Sequence, residues 1–311
     1  MTFLRTFIVS VGALGLSLSA HAAGGAKHAH PPEGGWSFAG PLGELDKASM
    51  QRGYQVYREV CAACHSMNLL TYRNLGEPGG PFYDSDYPNP NDNPLVKQFA
   101  AEDMITDTVP NDFGEFEMRP ARPSDTFRSP YPNEQAARAA NAGAYPPDLS
   151  VITKARGHGG DGEGASYIYS LMTGYKSFDD LIYGEINGEQ VDYYEFDGDY
   201  KGKLIQPLGQ YYNPYMAGDV TAQWVGDPRK VPSGGFLAMG PQLLPDRVQY
   251  LDGTEATPEQ MAKDVATFLQ WAGDPKQVQR KSLGLGSMIY LVLLAVLLWF
   301  SYKRIWRKVG H

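Results

Sequence analysis

Both cysteines of this 311-residue chain lie in one short motif, Cys61-Ala-Ala-Cys64-His65, which limits the possible folds more than any other feature of the sequence. C-x-x-C-H is the attachment signature of c-type haem, because its spacing places both sulfurs on one helical turn with the imidazole directly behind them. A structural zinc site would need a second cysteine pair, which the sequence lacks. A disulfide or a redox pair remains the alternative, although a helix expected before Cys61 does not fit a thioredoxin-like βαβ pattern.

The two ends of the chain predict export and a membrane anchor. Residues 1–22 combine a short basic start, an apolar run and small residues, as in a secretory signal peptide. Residues 283–302 form a stretch of 20 residues without a charge. At 1.5 Å rise per residue such a helix spans about 30 Å of hydrocarbon. The basic tail 303–311 favours a cytoplasmic C-terminus, so that residues 23–282 form the exported domain.

The exported domain is strongly acidic. Of the 27 Lys and Arg residues, five lie in the signal or the tail, which leaves 22, whereas all 35 Asp and Glu residues lie within 23–282. The formal charge of that domain is therefore 22 − 35 = −13. Such a field repels nucleic acid and speeds encounter with a basic protein partner. Ordinary solubility is the simpler explanation of any single acidic run.

The pattern of apolar residues predicts a few helices joined by loops rich in Pro and Gly. Capping residues and periodicity place helices over 46–61, 95–107, 133–141, 165–175 and from Pro258 to Gly273. The apolar face of the last of these is expected to pack on the first. Residues 176–205 instead alternate apolar and polar side chains around Asn187-Gly188 and Asp197-Gly198, which predicts a small β-hairpin insertion.

The sixth coordination position of a haem iron decides between electron transfer and ligand chemistry. His65 would supply the nitrogen ligand, and methionine is the expected partner because a thioether raises the potential. Met104, Met118, Met216 and Met239 remain after methionines in helical patterns and at the chain ends are set aside. Met239 is preferred, because the glycines and prolines around it in "PSGGFLAMGPQLLP" let the backbone approach a flat macrocycle. Met216 is the alternative.

Several motifs, in the order in which they follow along the chain, resemble those of a known family. They are "CAACH", "AARAANAGAYPPDLS", "KARGHGG", "SYIYSLMTGY", "YYNPYMAG", "GGFLAMGPQL" and "AKDVATFLQWAGDP", followed by the terminal anchor. Together they closely resemble cytochrome c1 in its bacterial form, over nearly all of the mature chain. The resemblance implies a mainly α, elaborated class I cytochrome c fold with 176–235 as an insertion, and one C-terminal transmembrane helix in the bacterial inner membrane.

The resemblance also implies roles for individual residues around one covalently bound haem c. Cys61 and Cys64 match the thioether sites, and His65 and Met239 match the axial ligands. The family's propionate contacts and pocket lining fall on Arg156, Tyr167, Asn141 and Pro147. A guanidinium such as that of Arg156 suits a propionate on independent grounds, since it offers paired hydrogen bonds to a carboxylate.

The implied function is electron transfer within the cytochrome bc1 complex, beside cytochrome b and the Rieske iron–sulfur subunit. The chain would take one electron from the Rieske protein and pass it to a basic c-type cytochrome, in a respiratory or photosynthetic chain. It would act as the redox subunit of a quinol–cytochrome c oxidoreductase without a catalytic site of its own. Two alternatives remain open: a free-standing membrane-anchored carrier, and a catalytic or gas-binding haem protein with an open iron position.

Overall fold

The computed structural model of the chain describes residues 26–157 and 162–307, which divide into two compact units. The larger unit contains His28–Tyr175 and Leu237–His311, and the smaller contains Lys176–Leu208 and Tyr212–Phe236. The predicted signal peptide 1–22 and the last residues of the tail lie outside the described residues.

Seven α-helices lie in the described part of the larger unit. They are α1 (Lys47–Glu59), α2 (Pro94–Ala101), α3 (Glu134–Ala140), α4 (Ile152–Ala155), α5 (Glu163–Thr173), α6 (Pro258–Gly273) and α7 (Gln277–Trp306). The predicted caps form where polar residues precede the apolar pattern. Asp46 accepts a hydrogen bond from the Ser49 amide at the start of α1, and Thr257 accepts one from the Gln260 amide at the start of α6.

The core of the larger unit is built where α1 packs on α6, as the apolar face of α6 predicts. Phe268 of α6 lies against the rings of Tyr54 and Tyr57 on α1. Gly53 is required at the crossing, because a Cβ atom there would lie 2.0 Å from the carbonyl oxygen of Asp264. The two helix backbones therefore approach closely, which holds the C-terminal end of α1 against α6.

The helix expected over 95–107 is shorter than predicted. Its apolar pattern continues beyond Ala101, but residues Met104–Thr106 form strand β1, which pairs antiparallel with β2 (Met118–Pro120). The partner strand lies too far along the chain for local periodicity to reveal it, and pairing with it overrides the helical pattern. The helices predicted over 133–141 and 165–175 are confirmed, with Asn133 capping α3 and Gly174 ending α5.

The C-terminal helix α7 is the one described helix that is long and apolar enough to cross a membrane. It runs for 30 residues, its most apolar window has a mean hydropathy of 2.3, and that window is not buried within the protein. It begins at Gln277, before the apolar stretch, and its first turns contact an earlier segment of the same unit. Lys281 donates hydrogen bonds to the carbonyl oxygens of Phe38 and Gly40 at 2.6 and 2.8 Å.

The smaller unit is a β structure, more extensive than the predicted hairpin. A four-stranded sheet has the order β3 (Leu181–Ile186), β4 (Glu189–Phe196), β5 (Gly202–Ile205) and β7 (Trp224–Gly226), and β6 (Tyr211–Asn213) pairs with β8 (Gly235–Leu237). The turn between β3 and β4 is Asn187-Gly188, whose positive φ angles of 55° and 88° match the predicted tight hairpin. Tyr194, Leu204 and Trp224 form part of its own small core.

Candidate functional site

The motif Cys61-Ala-Ala-Cys64-His65 forms a tight turn directly after α1. Cys61–Ala63 is one turn of 3₁₀-helix, and the Cys61 carbonyl oxygen accepts hydrogen bonds from the amides of Cys64 and His65 at 3.1 and 2.9 Å. Both cysteines are free and half-buried, so no disulfide closes the turn. Burial, with a smaller contribution from Cys64, raises the pKa of the Cys61 thiol to about 12. The turn therefore presents two free thiols and one imidazole together.

The imidazole of His65 is oriented by a second segment of chain. Its Nδ1 lies 2.8 Å from the carbonyl oxygen of Pro147, so the ring donates from Nδ1 and keeps the lone pair of Nε2 available. Burial lowers the pKa of His65 below its ordinary value, against the opposing effects of the Pro147 carbonyl and Asp148. The ring is therefore neutral, in the state and tautomer that a metal ion binds.

The segment that carries Pro147 is fixed by the carboxylate of Asp148. One oxygen of Asp148 accepts from the Ser66 hydroxyl at 2.9 Å and the Asn68 amide at 2.8 Å, and the other accepts from the Ser150 amide at 2.8 Å. The backbone adds a hydrogen bond from the Leu149 amide to the Ser66 carbonyl at 2.9 Å. Asp148 thus joins the residues after His65 to the residues around Pro147, although the sequence offered no sign of this role.

Asn141 belongs to the same group of residues through a tyrosine. Its side-chain amide donates to the Ala137 carbonyl at 2.7 Å and to the Tyr131 hydroxyl at 3.1 Å. The Tyr131 hydroxyl in turn lies 3.9 Å from the sulfur of Cys64. The structure therefore brings Cys61, Cys64, His65, Asn141 and Pro147 together, and it adds Tyr131, whose proline-rich surroundings gave no functional signal.

Of the other three predicted residues, Arg156 and Tyr167 lie side by side. The Arg156 guanidinium lies 5.6 Å from the centre of the Tyr167 ring. Arg156 is exposed and Tyr167 half-buried, so both side chains are accessible to a ligand. Met239 is half-buried in an irregular segment, and its carbonyl oxygen accepts a hydrogen bond from the Tyr175 hydroxyl at 2.9 Å. Burial, with a contribution from Tyr167, raises the pKa of Tyr175, which keeps this hydroxyl a donor.

The donor set fits a covalently attached haem better than a bare metal ion. Among the described residues, no group of three or more His, Cys, Asp and Glu side chains could hold a metal ion. Two free thiols on one turn, followed by a neutral imidazole with its Nδ1 engaged, are instead the groups that thioether attachment and axial ligation require. Met216, the alternative sulfur ligand, belongs to the smaller unit, whereas Met239 lies in the same unit as His65.

Comparisons with known proteins point to one family. Residues 36–309 match the model of the Cytochrome C1 family. A protein named cytochrome b/c1 from Bradyrhizobium diazoefficiens is 38% identical over 301 residues, which cover 96% of this chain but 39% of that relative. The mitochondrial cytochrome c1 haem protein of Kluyveromyces lactis is 39% identical, with 97% of this chain and 87% of the relative covered. Cytochrome c1 of Rhodospirillum rubrum is 35% identical, with 100% and 99% covered.

Proposed function

The chain belongs to the cytochrome c1 family, and from this premise we propose that it is the haem-bearing electron-transfer subunit of a cytochrome bc1 complex. The observation that carries the proposal is the geometry at His65, whose Nδ1 is held by the Pro147 carbonyl beside two free thiols. Its larger unit would have a class I cytochrome c fold, with the haem domain spanning residues 23–282.

One haem c is bound covalently, and its iron supplies a centre that gains and loses single electrons. Cys61 and Cys64 would form the two thioether bonds. His65 would bind the iron through Nε2, with the Pro147 carbonyl setting the plane and tautomer of the ring. The attachment turn follows directly after α1, which packs on α6, so the cysteines lie on a rigid base.

Met239 is the proposed second axial ligand. The Tyr175 hydroxyl fixes the backbone of Met239, and the same tyrosine is linked electrostatically to Tyr167. Arg156 and Tyr167 would bind the propionates, because their side chains lie together and offer a guanidinium and a hydroxyl to a carboxylate. Asn141 and Pro147 would line the pocket. With His65 and Met239 holding the iron, no position would be open to a substrate, and the chain would need no catalytic site of its own.

The helix α7 anchors the chain in the bacterial inner membrane, with the haem domain in the periplasm and the C-terminus in the cytoplasm. The basic residues that follow the apolar stretch support this orientation. Cytochrome b and a Rieske iron–sulfur protein would be the partners in the membrane, with the Rieske protein as donor. The formal charge of −13 on the exported domain, from 22 basic and 35 acidic residues, favours a basic c-type cytochrome as acceptor.

The connection between the soluble unit and the anchor argues against a free-standing shuttle. α6 ends at Gly273 and α7 begins at Gln277. Gln277 is 1% exposed, and the Asp274 amide donates to the Gln270 carbonyl at 3.0 Å. A carrier that moves between complexes needs a long flexible linker, and this short ordered connection gives little reach.

Haem staining after denaturing electrophoresis tests covalent attachment. The full-length chain, purified in mild detergent, is expected to keep its peroxidase stain, whereas a Cys61→Ser, Cys64→Ser double variant is expected to lose it. Ala101→Ser, which introduces a serine outside the motif, is the matched control and is expected to keep the stain. Loss of the stain from the unaltered chain would disprove thioether attachment.

Copurification and carbon monoxide binding separate the rival functions. Recovery together with cytochrome b and an iron–sulfur subunit supports the complex, and recovery of the chain alone supports a free carrier. Ready carbon monoxide binding to the reduced protein at neutral pH would show an open iron position and exclude Met239 as a ligand.

A further inference from the structure

A cavity lies behind the haem-attachment turn in the larger unit. Its volume is about 250 Å³, and its lining includes Tyr54, Tyr57, Arg58, Ala62, Tyr72 and Asp103. None of the eight residues proposed to hold the haem lines this cavity. It is therefore a separate feature of the molecule, bounded on one side by the turn between Cys61 and Cys64.

The hydroxyl of Tyr54 makes this cavity unusual. Tyr54 is 3% exposed, and its hydroxyl is buried without a hydrogen-bond partner among the described residues. The Arg58 guanidinium lies over the Tyr54 ring, 6.0 Å from its centroid. A buried hydroxyl left unpaired costs about 1–3 kcal/mol, and proteins rarely tolerate that cost when space for water adjoins the group.

Other polar groups on the cavity wall can hold water in place. The Tyr72 hydroxyl donates to the Asp103 carboxylate at 2.6 Å, which leaves that carboxylate further lone pairs. The Tyr57 hydroxyl reaches the His65 carbonyl oxygen only at 3.5 Å, the long limit of a hydrogen bond. The side chains of Arg58 and Asp103 are 24% and 25% exposed, so water has access from outside.

The size of the cavity agrees with several water molecules. Each water occupies about 30 Å³ in the liquid and needs two to four polar partners when buried. The phenol hydroxyls, the guanidinium and the carboxylate provide those partners, and they include both donors and acceptors. Charged ligands fit less well, because Arg58 is already paired with Glu102 at 2.6 Å and Asp103 already accepts from Tyr72.

We propose that this cavity binds a cluster of ordered water molecules and that this water lowers the midpoint potential of the haem attached at Cys61 and Cys64. The effect on potential rests on the proposed function, whereas water binding does not. Water beside a redox centre stabilises its more positive, oxidised state, and solvent exposure is a known determinant of such potentials. Ala62 and Tyr57 bring the cavity wall to the attachment turn and to the His65 backbone.

Water binding is tested first by removing the Tyr54 hydroxyl. If water satisfies that hydroxyl, Tyr54→Phe breaks a hydrogen bond and lowers the denaturation midpoint of the full-length protein in detergent. If the cavity is dry, the same change removes an unpaired buried hydroxyl and raises the midpoint, which overturns the proposal. Tyr212→Phe is the control, since the Tyr212 hydroxyl has a protein partner at Ser233 and its loss is expected to destabilise.

A structure of the purified complex at a resolution that shows water should contain the cluster. An empty cavity, or a different molecule in it, would refute the proposed water binding.

The effect on potential is tested by filling the cavity. Ala62→Leu is expected to displace water and raise the midpoint, so that the ratio of reduced to oxidised haem at a fixed ambient potential rises severalfold. Ala101→Leu, on the exposed end of α2, is the matched control and leaves the ratio unchanged. Ala63 also lines the cavity, so Ala63→Leu is used instead if Ala62→Leu fails to mature. If the structure of such a variant shows that the water is displaced and the midpoint potential is unchanged, the water does not tune the haem. Haem staining of the same variant reports separately whether the haem is still attached.

Discussion

The hydroxyl of Tyr175 donates a hydrogen bond to the carbonyl oxygen of Met239 over 2.9 Å, although the two residues are 64 positions apart in the sequence. Met239 lies in a segment of glycines and prolines that no helix or long strand supports. One hydrogen bond from Tyr175, two residues beyond the end of α5, therefore holds the backbone from which the proposed sulfur ligand extends. This contact adds a specific restraint on the ligand to the packing of its segment.

Removal of that hydroxyl is expected to loosen the methionine without preventing haem attachment. A hydrogen bond of this kind contributes about 0.5–1.5 kcal/mol, so Tyr175→Phe should let another ligand replace Met239 at a lower alkaline pH. The charge-transfer band of methionine-ligated ferric haem, followed through a pH titration, measures this. Tyr212→Phe, which removes a comparable hydrogen bond within the smaller unit, is the control. An identical titration for Tyr175→Phe and the unaltered protein would show that the contact does not restrain the ligand.

The buried carboxylate of Asp264 links α6 to α1, the helix that precedes the Cys61–His65 turn. Asp264 is fully buried, and it accepts hydrogen bonds from Arg52 at 2.8 and 3.1 Å and from Ser49 at 2.6 Å. Arg52→Met leaves this charge buried without its partner and should destabilise the protein by about 3–5 kcal/mol. Arg73→Met, which breaks an exposed pair with Glu77, should cost less than about 1 kcal/mol. Chemical denaturation in detergent measures both, and equal losses would contradict the role assigned to Asp264.

The elements that could be predicted from the sequence are those specified by neighbouring residues. Asp46 and Thr257 begin helices because their side chains satisfy amide groups three residues ahead, and Asn187-Gly188 forms a turn because both residues accept positive φ angles. The Cys61–His65 motif is local in the same sense. Five residues contain enough chemistry to indicate the cofactor before any tertiary structure is known.

The parts that could not be predicted depend on residues far apart in the chain. The helix expected to continue to residue 107 stops at Ala101 because Met104–Thr106 pairs with Met118–Pro120. The four-stranded sheet exceeds the predicted hairpin because Trp224–Gly226 joins it from beyond the alternating region. Tyr131 and Asp148 contact Cys64 and Ser66 across more than 60 residues, and no local pattern marks such contacts.

The free energy of unfolding should depend on pH through the carboxylate of Asp148. Partial burial acts to raise the pKa of Asp148, but hydrogen bonds from Asn68, Ser150 and Ser66 outweigh it and hold the pKa below its ordinary value of 3.8. The folded carboxylate therefore contributes stability that is complete above that value and is lost as the pH falls through the folded pKa. Asp148→Asn lacks this contribution, so its deficit in the free energy of unfolding should stay constant above pH 3.8 and shrink as the pH falls below that value.

The matched control for that comparison is Asp112→Asn, because Asp112 is exposed in the loop between β1 and β2. Unfolding of all three proteins is measured across the same pH series. A deficit for Asp148→Asn that stays constant down to the lowest pH would show that the carboxylate is not the group responsible.

Electron delivery to a basic acceptor should slow as salt is added. Residues 23–282 include 22 basic and 35 acidic residues, and screening acts within about 10 Å at 0.1 M ionic strength. Stopped-flow rates with a basic c-type cytochrome are therefore expected to fall as ionic strength rises past about 0.1 M. A small neutral redox dye serves as the control and should react at a rate nearly independent of salt. If the rate with the basic acceptor does not change with ionic strength, the acidic charge affects solubility alone.

Replacement of the proposed sulfur ligand gives the strongest test of the haem site. Met239→Leu preserves the apolar volume but removes the thioether that favours reduced iron, so the midpoint potential should fall by hundreds of millivolts while the haem stays attached. Met216→Leu is the matched control, since Met216 lies in the smaller unit and its loss should leave the potential unchanged. Potentiometric titration of both variants in the purified complex measures the shift. If the potential falls in Met216→Leu and not in Met239→Leu, the ligand is Met216, and the restraint of Met239 by Tyr175 has no part in tuning the iron.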